Sequence, residues 1–270
     1  MSATTAGTPI DLSDTPRVPF SRLARVELRK MLDTRSGFWL LLVTGILLVI
    51  AAGLVLLVVA LNDDVGPSAY DWSQILVIPL SLLLPVFAIL TVTSEWSQRS
   101  GLVTFSLEPN RLRVLGAKLA AVVALAFAIV ILATVLGAVG NVVGAAIGGY
   151  DAEWNFGPRL LVTSIVVQVL YFLMAFGLGT VILNTPGAVA IFYVVALILP
   201  LIVYGILYSI FDWARQTIPW IDLQYGTAPF FDQDLDLSGV DVARGIVVVL
   251  LWIVAPLTVG AMRVSSSEPK

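Results

Sequence analysis

Residues 160–211 read LLVTSIVVQVLYFLMAFGLGTVILNTPGAVAIFYVVALILPLIVYGILYSIF, a segment of 52 residues without a charged side chain. A helix needs roughly 20 apolar residues to cross about 30 Å of hydrocarbon, so this segment is too long for one span. It contains the turn-forming cluster Asn184-Thr185-Pro186-Gly187. The cluster predicts two helices, near residues 160–183 and 188–211.

Four more uncharged segments occur in the chain, at residues 37–61, 72–94, 119–150 and 245–262. Each is long enough for one helix, so the sequence predicts an all-α polytopic membrane protein with six transmembrane helices. The predicted spans are about 37–61, 72–94, 115–148, 160–183, 188–211 and 243–262. They form one transmembrane domain at residues 17–270, after a small, polar, disordered cytoplasmic tail at residues 1–16.

The composition excludes a water-soluble globular protein. Hydrophobic residues make up 59% of the chain and charged residues 12%, about half the usual charged fraction. Cysteine and histidine are both absent, which excludes disulfides, thiol catalysis and imidazole-dependent triads. We therefore expect no catalytic residue, no metal site and no bound cofactor in this chain. The net charge of −3 also argues against a nucleic-acid partner.

The basic residues are distributed unequally between the two sides of the predicted membrane domain. Twelve of the 15 lie before the first span, between the second and third, or after the sixth. The other three are Arg159, Arg215 and Arg244. Because positive charge favours the cytoplasmic side, we expect a multi-pass protein of the bacterial plasma membrane with both termini in the cytoplasm.

The predicted spans carry no ionisable side chain in their middle, which disfavours a proton- or ion-driven transporter. Asn141 and Gln168 are polar residues on a possible substrate path, although such amides more often bond a neighbouring helix. Gly140, Gly144 and Gly148 form a small-residue stripe. Packing within the chain is favoured for this stripe over a subunit interface.

Two segments outside the spans are predicted to lie at membrane surfaces. Phe20, Ala24, Leu28 and Met31 recur at helical spacing while arginines occupy another face, as in an interfacial amphipathic helix. The alternative is a cytosolic extension of the first span. Between the fifth and sixth spans, residues 212–241 are rich in Trp, Phe and Asp, which predicts short external helices.

The connection between the second and third spans, residues 94–118, reads SEWSQRSGLVTFSLEPNRLRVLGAK. Its apolar side chains are unexplained if the loop floats free in the cytosol. Glu95, Gly101, Pro109, Arg111 and Lys118 resemble the loop motif of type-2 ATP-binding-cassette (ABC) exporter permeases. The resemblance extends to the entrance helix, where residues 27–30 read ELRK.

The resemblance implies that this loop is a coupling helix that docks into a groove of an ATPase subunit. The implied coupling residues are Glu95, Arg99, Gly101, Leu102, Val103, Phe105, Pro109, Arg111 and Lys118. It also implies that the entrance helix lies along the cytoplasmic interface. Its residues are Phe20, Ala24, Glu27, Leu28, Arg29, Lys30 and Met31.

The implied function is that of the permease subunit of an ABC exporter of amphipathic, drug-like or lipid-like compounds. The sequence has no Gly-x-x-x-x-Gly-Lys-[Ser/Thr] motif, so ATP and Mg²⁺ are expected on two copies of a separate ATPase. A second permease copy or a homologous permease completes the implied assembly, and lipids surround it. The chain itself is then not an enzyme. The alternative is a non-transporting scaffold or regulatory subunit with a permease-like fold.

The basic asymmetry leads to a labelling prediction. Single cysteines at Ser2 and Ser266 should resist an impermeant thiol reagent in intact cells, whereas a cysteine at Ser238 should react. The cysteine-free chain supplies the unlabelled background. Labelling at Ser2 before the membrane is permeabilised would contradict the orientation.

Overall fold

The computed structural model of the protein describes residues 18–62, 66–97, 110–231 and 236–266. These ranges contain no β-strand, and six of their helices are long and apolar enough to cross a membrane. We name them spans 1 to 6, which run Arg35–Leu61, Ala69–Ser94, Arg111–Gly148, Pro158–Ile182, Thr185–Ile210 and Gly239–Ser265. The predicted all-helical architecture, with six helices suited to a bilayer, is confirmed.

The chain also contains shorter helices at both ends of the bundle. The N-terminal helix, Phe20–Asp33, lies at the end that holds Val264, which we call the terminal end. The opposite end, the linker end, carries helices Asp212–Ile221 and Leu223–Thr227 and the 3₁₀ turn Ala228–Phe231. A location of these helices at a membrane surface stays a prediction.

Side-chain caps fix where several spans begin. Ser68 and Asp71 form a capping box at the start of span 2, and Ser238 and Asp241 form another at the start of span 6. Each box satisfies backbone N–H groups that a helix start leaves without partners. Between spans 4 and 5, Asn184 Oδ1 accepts the Gly187 N–H at 2.9 Å. The long uncharged segment therefore divides at its turn-forming cluster.

Proline residues coincide with irregular helix geometry in the spans. Span 2 consists of helix Ala69–Leu83 and helix Pro85–Ser97, separated at Leu84. Span 5 contains an eleven-residue π-helix, Val194–Tyr204, with Pro200 inside it. Proline has no N–H to donate, so the ordinary α-helical bonding pattern is interrupted at these positions.

The small-residue stripe of span 3 packs against the chain's own span 2. A Cβ on Gly140 would lie 2.6 Å from Trp72 Cε3, and one on Gly137 would lie 2.0 Å from Ser73 Oγ. A Cβ on Gly144 would lie 2.6 Å from the Tyr150 hydroxyl. The stripe therefore serves packing within the chain, as its spacing favoured, because only glycine permits this approach.

This contact predicts that Gly140→Ala lowers the midpoint of thermal unfolding in detergent. The added methyl group overlaps the buried Trp72 ring, and overpacking of this kind costs about 1–3 kcal/mol. Gly53→Ala in span 1 is the matched control, because a Cβ there meets nothing within 4 Å. Equal midpoints for the two variants would contradict the packing account.

Candidate functional site

A buried ion pair joins three elements at the terminal end. Lys118 Nζ, in the second turn of span 3, lies 2.8 Å from Glu27 Oε2 of the N-terminal helix. The same ammonium donates to the Thr91 carbonyl oxygen of span 2 at 2.9 Å. Lys30 Nζ lies 2.7 Å from Glu27 Oε1. One lysine thus connects the N-terminal helix with both spans that flank the predicted coupling loop.

Both members of this pair are almost fully shielded from solvent. Glu27 is 6% exposed and Lys118 is 4% exposed. Burial raises the pKa of Glu27, but the charges and hydrogen bonds of Lys118 and Lys30 outweigh burial and hold that pKa below its usual value. Glu27 is therefore ionised at neutral pH, and removal of its partner would leave a buried charge with less compensation.

Arginine side chains reinforce the same end of the bundle. Arg111 Nη1 donates to the Val264 carbonyl oxygen at 3.3 Å, and Arg113 Nη2 donates to the carbonyl of Val18. These contacts link the start of span 3 to span 6 and to the beginning of the N-terminal helix. The point where the predicted coupling loop returns to the bundle is thus held from several sides.

The structure describes only part of the predicted coupling loop. Residues 98–109 lie outside the described ranges, and the predicted residues among them are Arg99, Gly101, Leu102, Val103, Phe105 and Pro109. Glu95 belongs to the last turns of helix Pro85–Ser97, and its side chain is likewise outside the description. Arg111 and Lys118 lie in the first turns of span 3. A coupling role for these residues stays a prediction.

The N-terminal helix turns part of its predicted apolar face into the bundle. Met31 is 5% exposed and Leu28 packs against the core, whereas Phe20 is 45% exposed. The arginines of the other face, including Arg29, are exposed, and Ala24 is half-buried. Glu27 lies between Ala24 and Met31 at helical spacing, on the buried side. A carboxylate on the buried face of a helix indicates a basic partner inside the bundle. The sequence alone did not identify Lys118 as that partner.

A cavity of about 610 Å³ lies between spans 2, 4 and 5 and the linker helices. Tyr193 donates its hydroxyl to the Leu82 carbonyl oxygen at 2.6 Å on the side of the terminal end. On the side of the linker end, the cavity is lined by Gln224, Thr227, Ala228 and Phe231. Ile78 lines the cavity and is 63% exposed, so the cavity opens on the lateral surface of the bundle.

The cavity has one polar wall and one apolar wall. On the polar wall, Ser81 donates to Gln168 Oε1 at 2.8 Å, and Gln74 Nε2 donates to Ser164 Oγ at 3.3 Å. The Gln168 Nε2 atom is buried and has no hydrogen-bond partner among the described residues. The apolar wall comes from span 5 and contains Phe192, Ala196 and Leu197.

Of the two predicted substrate-path residues, only Gln168 lines this cavity. Asn141 is fully buried, and its Nδ2 donates to the Glu153 carbonyl oxygen at 3.0 Å. The Ala69 N–H donates to the same carbonyl at 2.9 Å. Asn141 thus braces the connection between spans 3 and 4 against the start of span 2, and its partner lies in a connecting segment instead of on a neighbouring helix.

No protein-family model matches the chain, and none of the curated proteins is a match to it.

The buried ion pair predicts that Lys118→Met destabilises the folded chain by about 3–5 kcal/mol, because it leaves the Glu27 carboxylate buried with Lys30 alone. Thermal unfolding in detergent measures the change. Arg29→Met is the matched control, since the Arg29–Asp33 pair is exposed and such pairs contribute about 1 kcal/mol or less.

Acid titration separates this electrostatic effect from a packing effect. Because the folded-state pKa of Glu27 is lowered, its contribution to stability is present at neutral pH and is lost as the pH falls below 4.5 through that pKa. Glu27→Gln should remove this step in the pH dependence of the unfolding midpoint. An unchanged step in Glu27→Gln would assign the acid sensitivity to other groups.

Proposed function

We propose that the chain is the membrane-spanning permease subunit of an ABC exporter. In this proposal it moves an amphipathic, drug-like or lipid-like compound outward, and ATP hydrolysis on a separate ATPase subunit supplies the energy. Two ATPase copies bind Mg²⁺ and ATP, and a second permease copy or a homologous permease completes the complex. The chain is itself not an enzyme, and its termini lie in the cytoplasm of a bacterial cell.

The observation that carries the proposal is the set of hydrogen bonds around Lys118. Its ammonium bonds Glu27 and the Thr91 carbonyl, so the N-terminal helix and spans 2 and 3 are fixed to each other at the base of the loop. A partner that pushes on a loop anchored in this way moves these elements together instead of bending one helix end. Such an arrangement suits a loop that transmits force from an ATPase.

The source of energy follows from the distribution of charge. The middle of each span lacks an acid or a base through which a proton or sodium gradient could act. The loop instead carries apolar side chains at Leu102, Val103 and Phe105, which a partner surface can bury. The cavity between spans 2, 4 and 5 offers the protein a compartment for an amphipathic cargo.

The proposal predicts that Leu102→Asp or Phe105→Asp weakens ATPase binding or uncouples hydrolysis from transport. Burial of one such side chain contributes about 1.5–3 kcal/mol, and each 1.4 kcal/mol corresponds to a tenfold change in affinity, so a loss of about tenfold or more is expected. The measurement is export of a labelled lipid or drug from liposomes that contain the chain and its ATPase, together with co-purification of the two.

Leu237→Asp is the control, because it places the same charge at an exposed position of the linker end. It should transport as the unchanged protein does. Transport by the chain alone, insensitive to ATP and abolished by an ionophore, would defeat the proposal. ATPase binding without transport of any compound would favour the scaffold or regulatory alternative.

A further inference from the structure

We infer that the cavity between spans 2, 4 and 5 is a binding site, contained within a single chain, for one uncharged amphipathic molecule of drug size. The molecule lies with hydroxyl or carbonyl groups toward spans 2 and 4 and with hydrocarbon toward span 5. The existence of this site is independent of the proposed function, and only the role of the bound molecule as a transported substrate rests on it.

The size and position of the cavity define how a molecule reaches it. Its volume of about 610 Å³ falls within the range of roughly 300–1,000 Å³ for small-molecule sites. Ile78, at the lateral opening, is the tenth residue of span 2, about 13 Å along the helix axis at 1.5 Å per residue. An opening at that depth faces hydrocarbon, so the ligand enters sideways from the membrane.

The polar wall supplies the recognition. Gln168 is 5% exposed, its Oε1 is occupied by Ser81, and its Nε2 lacks a partner among the described residues. A buried amide nitrogen without a partner is costly, and a ligand oxygen that accepts its hydrogen bond removes that cost. A hydroxyl or a carbonyl oxygen is such an acceptor. Ser164, on the same wall one turn of span 4 earlier, is bonded to Gln74 and to Tyr70 within the wall, so Gln168 is the group left to bind a ligand.

The lining favours a ligand without charge. Among the described residues, the lining side chains are amides, hydroxyls, phenols and apolar groups, so an ionised ligand would be desolvated against them without an opposite charge. Asp222, an acid of the linker helices, does not line the cavity. Its Oδ1 accepts the Tyr225 N–H at 3.0 Å and caps a linker helix.

Photolabelling of the purified chain, without any ATPase, tests the site. The chain is placed in phosphatidylcholine nanodiscs and irradiated with a monoacylglycerol that carries a diazirine in its acyl chain, and the adducts are mapped by mass spectrometry. Adducts should concentrate in residues 69–82, 160–171 and 192–197, and excess unlabelled monoolein should suppress them. Oleate and an alkyltrimethylammonium, which carry charges, should suppress them far less.

Two substitutions separate the site from the lipid-facing surface. Gln168→Leu should weaken labelling about three- to tenfold, which is the loss of one hydrogen bond to the ligand. Leu197→Trp should weaken labelling because the larger indole takes space in the cavity next to the apolar wall. The control is Ile198→Trp, since Ile198 is the next residue, is exposed and does not line the cavity. Each variant is first checked for monodisperse elution from a size-exclusion column as a sign of correct folding. If Leu197→Trp does not elute in this way, labelling of Gln168→Leu and suppression by the unlabelled competitors test the site.

Adducts spread evenly over lipid-facing residues and insensitive to Gln168→Leu would overturn the inference, as would suppression by oleate equal to that by monoolein. These outcomes are independent of the ATPase. Saturable labelling in a chain that exports nothing with ATP would retain the site and remove the proposed function. ATP-driven export without saturable labelling would retain the proposed function and remove the site.

Discussion

Hydrocarbon offers no hydrogen-bond partner to a peptide group, and every segment of this chain at membrane depth has to bond its backbone within the protein. Regular helices meet this requirement by themselves. Where the helices are irregular, side chains contribute: near Pro85 the Leu84 N–H keeps its ordinary bond to the Leu80 carbonyl, and the Tyr193 hydroxyl donates to the Leu82 carbonyl. Tyr225 bonds the Pro200 carbonyl in the π-helix of span 5. Of these two tyrosines, Tyr193 also lines the cavity.

Apolar surface cannot by itself position helices in a bilayer, because lipid is as apolar as the helix faces. Specific contacts must therefore set the arrangement, and the chain uses a different kind at each end. At the terminal end the contacts are charged and buried, as in the Glu27–Lys118 pair. Toward the linker end they are close backbone approaches at glycines and neutral hydrogen bonds such as that of Asn141. At the linker end the Arg244–Asp241 pair, at 3.3 Å, joins two residues of one helix, whereas the Glu27–Lys118 pair connects two elements.

The sequence was sufficient for the features that depend on local pattern. Uncharged length predicted six helices, the Asn184 turn divided the longest segment, and the glycine spacing indicated packing within the chain. It was insufficient for contacts between distant residues. Glu27 and Lys118 are 91 positions apart, and Ser81 and Gln168 are 87 apart, so neither pair has a local signature. The sequence also did not predict the π-helix of span 5, because hydropathy reports composition and carries no information on which backbone groups bond each other.

The two ways in which span 3 holds span 2 have a mechanical consequence. Span 2 consists of two helices that meet at Leu84. Its linker-end half packs against Gly137 and Gly140 of span 3. In its other half, the Thr91 carbonyl accepts a hydrogen bond from Lys118. Span 3 is one continuous helix of 38 residues, and it therefore contacts span 2 on both sides of Leu84. The glycines place no side chain between the two helices, so Trp72 and Ser73 of span 2 pack directly against the backbone of span 3. The linker-end half of span 2 lines the cavity from Tyr70 to Leu82, so the packing that holds span 2 against span 3 also sets the position of that cavity wall.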